Sequence, residues 1–153
     1  MIETIFEFII KFLIAFITTY AFTILFNLNN KTFKFFASLS GGIGYLVYLF
    51  FINYKNSAVL GCFFGALFVG MFGEYLARKL KAPATIFIIP GIFPIVPGYG
   101  MYYTMLAIVD QNYRQVMVLG FSTFISAISI AIAVMLSTIF SVSLIRVKRE
   151  RIK

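Results

Sequence analysis

The chain contains no histidine and no tryptophan, a single cysteine, Cys62, and only five acidic residues among its 153 residues. The shortage of histidine and cysteine excludes an intrachain disulfide and the Cys/His metal sites of soluble enzymes. Five scattered carboxylates are too few for a hydrolase centre or a two-metal site. No pairing of a base with a nucleophile can be identified. The sequence therefore predicts a protein that is not an enzyme and that binds no metal.

Charged residues of both signs make up only 12% of the chain, whereas 61% of the residues are hydrophobic and the mean hydropathy is +0.98. Soluble domains are about 45–50% apolar, so this composition is typical of an integral membrane protein. A span needs roughly 20 residues, so a chain of this length has room for about five spans with short connections. The predicted fold class is all-α, with five transmembrane helices in a single membrane domain, residues 1–153.

Proline is rare and confined, because all four prolines lie between residues 83 and 97. Each interior proline removes a backbone donor and clashes with the preceding turn, so no regular helix can run through residues 89–98. Irregular backbone at membrane depth is tolerated only against protein or a polar cavity, and in transporters it marks the binding site. The predicted substrate-binding residues at this break are Pro90, Pro94, Val96, Pro97, Gly98 and Tyr102.

Apolar runs predict the five spans at about residues 4–28, 33–52, 58–77, 84–109 and 116–145, followed by a basic cytoplasmic tail, 146–153. The fourth span is the one broken by proline and glycine. Asn27 is predicted to end the first helix, since asparagine often terminates helices. Ten of the 13 Lys and Arg residues fall on one side of this arrangement. The positive-inside rule therefore predicts an outside N-terminus and a cytoplasmic C-terminus. A re-entrant fourth segment would place the basic tail outside the cell, against this bias, so five crossings are predicted. Because the Lys and Arg residues cluster at the span ends, as an orientation signal does, no nucleic-acid partner is predicted.

Small and polar residues inside the spans each have two interpretations. Ser38 and Ser40 precede Gly41, Gly42 and Gly44, which form either a packing notch for the proline segment or a second interrupted helix at the site. A serine-rich face in the fifth span favours helix packing over a polar wall of a permeation path. That face consists of Ser122, Ser126, Ser129, Ala133, Ser137 and Ser141. Ser38, Ser40 and Ser126 are included among the predicted substrate-binding residues.

Glu74 is the only carboxylate inside a predicted span away from the predicted outer face. Because Arg78 follows four residues later, one interpretation is an interfacial ion pair. The other is an intramembrane acid that carries a coupling proton. Glu7 and Lys11 have the same spacing near the predicted outer face, and there a plain ion pair is favoured.

Four stretches of the sequence are characteristic in combination: residues 21–27 before a basic turn, residues 41–48, residues 77–83 (ARKLKAP), and residues 89–98 (IPGIFPIVPG) followed by Met101, Tyr102 and Met105. Together they resemble the threonine/serine exporter family. The resemblance covers most of residues 20–105, and the proline run is its most specific part. Members of this family resemble two five-span halves, either fused or separate, and this chain is similar to the C-terminal half alone.

The resemblance implies export of small amino acids such as threonine and serine, or of dicarboxylates such as succinate, across a bacterial plasma membrane. It implies no enzyme activity, no cofactor, and a five-span partner similar to the other half, or else a homo-oligomer. A second hypothesis is a non-transporting scaffold subunit that stabilises a partner membrane protein, with the broken helix as a packing joint.

Overall fold

The computed structural model describes residues 2–150, with side chains described for residues 6–141 and 143. These residues form six α-helices and one 3₁₀ turn. The helices are α1 (Ile2–Leu25), α2 (Lys31–Lys55), α3 (Ala58–Leu80), α4 (Thr85–Ile92), α5 (Gly98–Val109) and α6 (Tyr113–Glu150), and the 3₁₀ turn is Phe93–Ile95.

Short polar turns end the helices through residues in the left-handed backbone region. Asn27, Asn56, Lys81 and Gln111 have φ angles of 55°, 49°, 51° and 54°. At the end of α1 the Leu28 amide donates to the Thr23 carbonyl at 3.1 Å, which is the long bond of a Schellman motif. The prediction that Asn27 terminates the first helix is therefore confirmed. Chain reversal needs only a few residues at each turn, so consecutive long helices lie next to each other.

The helices pack side by side in the order α1, α2, α3, α6, and α4 lies against α1, α2 and α3. Helices α2 and α3 cross closely where both lack side chains, since a Cβ atom on Gly65 would lie 2.9 Å from the Gly44 carbonyl oxygen. Small residues take the place of large apolar ones at such crossings because lipid supplies no hydrophobic drive between helices. Phe87 of α4 is fully buried in the cluster that includes Ala37 of α2 and Leu76 of α3.

The fourth predicted span is two helices that differ in direction by 54°. Before the break, α4 packs on α1, α2 and α3; after it, α5 packs on α6 and on no other helix of the described range. The chain therefore leaves the α1–α3 layer at the break. The first half of the span belongs to one group of helices and the second half to another.

The all-helical fold class is confirmed. Among the described residues, four helices are long and apolar enough to cross a membrane, and the bent pair adds a fifth if it forms one span. Helix bounds differ from the predicted segments by a few residues, and α6 is longer than predicted because it continues through the basic residues to Glu150. Of the predicted basic tail, residues 151–153 and the side chains of residues 146–150 lie outside the described residues.

Candidate functional site

The break between α4 and α5 is a short segment of defined backbone geometry. After the 3₁₀ turn, Val96 is extended with φ −54° and ψ 131°. Pro97 follows with φ −74° and ψ 59°, and the Gly98 amide donates to the Val96 carbonyl at 2.7 Å. These angles and this bond define an inverse γ-turn centred on Pro97. Because proline has no amide proton, it fits at the centre of this turn without losing a bond.

The first turn of α5 presents backbone donors at the break. The Gly98 amide bonds within the γ-turn, and the Met101 amide donates to the Pro97 carbonyl at 3.1 Å. The amides of Tyr99 and Gly100 have no acceptor within the described part of the chain. A Cβ atom on Gly98 would meet no atom within 4 Å. The positive end of a 12-residue helix therefore opens onto unfilled space, which suits an anionic group.

Three neighbouring helices hold the break in place. Phe93 stacks on Phe22 of α1, with ring centroids 3.8 Å apart. Ile95 is almost fully buried, and its side chain lies against Gly44 of α2 and Gly65 of α3. The Ile95 carbonyl, left without a helical partner by the break, accepts a weak hydrogen bond from the Cys62 thiol at 3.7 Å. The break is thus anchored to α1, α2 and α3.

The glycine run of α2 is a packing notch, and the alternative of a second interrupted helix is wrong. Residues Lys31–Lys55 form one continuous helix through Gly41, Gly42 and Gly44. A Cβ atom on Gly44 would clash with Val69 of α3 and would lie 3.4 Å from the Ile95 side chain. The missing side chains therefore admit both α3 and the break, in agreement with the packing interpretation.

The two predicted serines of α2 lie in the interior. Ser38 donates to the carbonyl of Lys34 at 2.8 Å and so satisfies itself within the helix. Ser40 is 0% exposed, and its hydroxyl has no hydrogen-bond partner among the described residues. A Cβ atom on Gly91 would lie 3.6 Å from that hydroxyl, beside the buried Pro90. Ser40 therefore lies against Gly91, the residue after Pro90, on the α4 side of the break.

Ser126 belongs to a packing face of α6. It is buried and donates to the Ser122 carbonyl at 2.9 Å, the self-satisfied form expected of a serine in a helix. Farther along the same face, Ser137 is buried directly against Gly70 of α3. Helix packing, the favoured interpretation of this serine face, agrees with that contact.

The remaining predicted site residues lie around the break without forming one pocket. Val96, Gly98 and Tyr102 are exposed, Tyr102 to 62%. Pro94 faces α1 and α2, where it lines a cavity. The predicted residues thus divide between an interior group at α2 and α4, an exposed group at α5, and Ser126 in the packing face of α6.

Glu74 accepts a hydrogen bond from the Ser141 hydroxyl of α6 at 2.8 Å. Glu74 and Arg78 line one cavity of about 190 Å³ between α3 and α6. Their side chains form no ion pair within 4.0 Å, in contrast to Lys11 and Glu7, which are paired at 3.5 Å. The partner shown for Glu74 is therefore a serine on a neighbouring helix.

Two features at the break were missed by sequence reasoning. One is the bond from Cys62 to Ile95, for which the sequence carries no signal because the residues are 33 positions apart. The other is a cavity of about 260 Å³ lined by Lys11, Ile14, Ala15, Thr18, Tyr45 and Pro94. A lysine within an apolar span was the available signal.

Apolar helices of membrane-spanning length, with one broken in its middle, define a multi-pass helical membrane protein with a feature common among transporters. The family described as Threonine/Serine exporter, ThrE, matches residues 11–140, and this chain belongs to that family. The predicted family is therefore confirmed, and membership places the chain among transport proteins rather than enzymes.

One curated relative is an uncharacterized protein of Haemophilus influenzae. It is 25% identical over 92 residues, which make up 60% of this chain and 31% of the relative. The match thus spans about a third of the relative's own length. No solved structure matches this chain.

Proposed function

We propose that this chain is a subunit of a secondary transporter that exports a small amino acid such as threonine or serine, or a dicarboxylate such as succinate. The membrane is the bacterial plasma membrane, with the N-terminus outside. Membership of the exporter family supports a small amino acid as substrate. The partner is a five-span subunit similar to the other half of the exporter, or a second copy of this chain.

The observation that carries the proposal is the start of α5. Two amides, of Tyr99 and Gly100, lack acceptors within the described residues, and the space beside Gly98 is open. A carboxylate is the group common to amino acids and dicarboxylates, and it would accept from both amides at the positive helix end. Backbone amides without acceptors have a high free energy in the hydrocarbon core of a membrane, unless a ligand or an aqueous path provides acceptors.

The proposed coupling group is Glu74. It lies on α3 within a helix of membrane-spanning character and shares a cavity with Arg78. Ionisable residues within membrane spans mark ion and proton pathways in many transporters, which supports this role. In this proposal, protonation of Glu74 couples export to the proton gradient.

Counterflow in proteoliposomes tests the proposal. The purified chain is reconstituted into proteoliposomes, alone and together with its partner subunit. The proteoliposomes are loaded with unlabelled threonine, serine or succinate, and uptake of the labelled acid is measured. Gly98→Leu places bulk where the carboxylate is proposed to bind, without a clash inside the fold. The bulk should keep the carboxylate away from at least one of the two amides. We expect it to raise the half-saturating concentration at least about tenfold, because a lost charge-assisted hydrogen bond is worth roughly that factor.

Met105→Leu is the matched control, because Met105 is an exposed residue of the same helix. It should leave counterflow unchanged. Transport by the partner alone, with this chain only raising the abundance of the partner, would instead support the scaffold hypothesis. Unchanged counterflow by Gly98→Leu would remove the α5 terminus from the site.

A further inference from the structure

The cavity next to Pro94 lies where the chain leaves α1 and α2. Up to the 3₁₀ turn the fourth segment covers these two helices, and beyond it α5 contacts only α6 among the described elements. The parts of α1 and α2 that lie past the 3₁₀ turn are therefore not covered by the fourth segment. The resulting cavity measures about 260 Å³, with Lys11, Ala15 and Thr18 of α1, Tyr45 of α2 and Pro94 on its walls.

Lys11 is an unusual wall residue for this position. It belongs to the apolar stretch Phe6–Leu25, whose mean hydropathy is 2.1. Five residues from the start of that stretch correspond to about 7.5 Å of helix. A charged residue at such a position is costly in hydrocarbon, and such residues face a polar cavity or mark an ion or substrate pathway. The Lys11 side chain is 42% exposed and lies 3.5 Å from the Glu7 carboxylate.

The other polar groups of the cavity complement the ammonium group. The Thr18 hydroxyl donates to the Ile14 carbonyl at 2.8 Å, so its oxygen stays available as an acceptor. The Tyr45 phenol can donate or accept. A cation, an acceptor and a phenol between apolar walls match a small acid that carries a carboxylate and a second polar group. The volume is below the ~300–1,000 Å³ of pockets for drug-sized ligands, so the cavity suits a small one.

We propose that this cavity is a second subsite of the transport path, in which the Lys11 ammonium binds the carboxylate of the substrate on the far side of the break from α4. The subsite rests on the proposed transport function. Under the predicted orientation it lies on the outward side, so exported substrate passes from the α5 terminus to Lys11. Glu7 then competes with the substrate for Lys11, which keeps the subsite weak enough to release its ligand.

The first test separates affinity from folding. Lys11→Gln should raise the half-saturating concentration for counterflow on the outer side about tenfold or more, at unchanged maximal rate and abundance, because the charged partner of the carboxylate is lost. Lys11→Arg should restore most of the affinity. Lys55→Gln is the matched control, since Lys55 ends α2 outside this cavity and stacks its charge over Tyr54. Equal half-saturation for Lys11→Gln and the wild type would overturn the subsite.

The second test works without transport. The single native cysteine, Cys62, is 1% exposed. Ile14 lines the cavity and is exposed, so Ile14→Cys places one accessible thiol beside Lys11 and leaves the ammonium group in place. We expect an impermeant thiol reagent to label it from outside, and millimolar threonine, serine or succinate to slow that labelling. Slowing by anionic-lipid vesicles but not by any acid would mean that Lys11 binds lipid phosphate, and would overturn the proposal.

The two tests distinguish the two failures. If the wild type transports none of the acids, the proposed function is wrong, and protection of the Ile14→Cys thiol still decides whether the cavity binds a carboxylate. If the wild type transports and Lys11→Gln retains its affinity, only the second subsite is wrong.

Discussion

At the scale of single residues, bare backbone decides where the helices cross. Gly65 and Gly44 bring α3 and α2 close enough for the Ile95 side chain to lie against both of them. The contacts at Gly65 involve backbone, which cannot move aside as a flexible side chain can. Gly98 is the opposite case, because open space surrounds it. Gly65 thus allows close helix packing, whereas Gly98 leaves space open at the start of α5.

We predict that Gly65→Ala destabilises the protein and that Gly98→Ala does not. The added methyl group of Gly65→Ala would lie 2.9 Å from the Gly44 carbonyl oxygen and 3.2 Å from Ile95. Overpacking of this kind costs about 1–3 kcal/mol. Thermal unfolding in mild detergent should show a lower Tm for Gly65→Ala alone. Equal Tm values for the two variants would contradict the close crossing.

Glu74→Gln tests the proposed proton role with little change in shape. The amide oxygen of glutamine can still accept from Ser141, so the contact between α3 and α6 is preserved. We expect export against a gradient to fail while exchange of substrate continues, because the titrating group is gone. Ser143→Ala, at an exposed position of α6, the helix that carries Ser141, is the control. Uphill export by Glu74→Gln at normal abundance would eliminate the proton role.

At the scale of elements, the break is a rigidly held feature. The 3₁₀ turn is fixed by Phe22, by the α2–α3 crossing and by the thiol of Cys62, while the γ-turn at Pro97 redirects the chain. The helix on each side keeps its own neighbours. Proline therefore does more than interrupt a span, because it lets one span contribute to two packing layers.

We predict that the double variant Pro94→Ala, Pro97→Ala inserts and assembles normally but loses export. Each substitution restores a backbone donor and removes a steric clash, so α4 and α5 can approach one continuous helix. The amides at the start of α5 would then bond within that helix. Counterflow measured beside membrane abundance is the check, with the exposed turn residue Pro83→Ala as control. Normal export by the double variant would separate the break from the site.

At the scale of the whole molecule, α5 has a large uncovered surface. Within the described residues it contacts only α6, and it exposes Tyr99, Tyr102, Met105 and Val109. Lipid can cover apolar side chains, but the tyrosine hydroxyls and the open amides of the first turn are better matched by a polar path or a protein partner.

We predict that the functional unit contains more than one chain. Purification in mild detergent, with mass determined by light scattering, should give a homo-oligomer or a complex with a five-span partner. One reason is the exposed α5 face. The other is that the sequence shows no internal repeat, whereas many carriers are built from two related halves. Full activity of a monomer in liposomes would contradict this prediction.

We predict an outside N-terminus and a cytoplasmic C-terminus. Ten of the 13 Lys and Arg residues fall on the predicted inner side. Reporters fused after Lys153 should be active in the cytoplasm, and reporters inserted at the turn around Asn56 should be active outside. The reverse pattern would contradict the five-span arrangement.

Sequence alone sufficed for the local and one-dimensional features. Apolar runs of membrane length predicted the helices, Asn27 predicted the end of the first, and the prolines predicted the break, because hydrophobicity, capping and the missing proline amide act within a few residues. The serine spacing also predicted the packing face of α6.

Only the tertiary structure decided which residues meet across the bundle. Ser40 lies against Gly91, Glu74 against Ser141, and Cys62 against Ile95, whereas Tyr102 faces outward on α5. These contacts depend on the 54° change of direction at the break and on which helix each half packs against. No pattern within one segment encodes such an angle, because it results from the fit of small and large side chains among several helices at once.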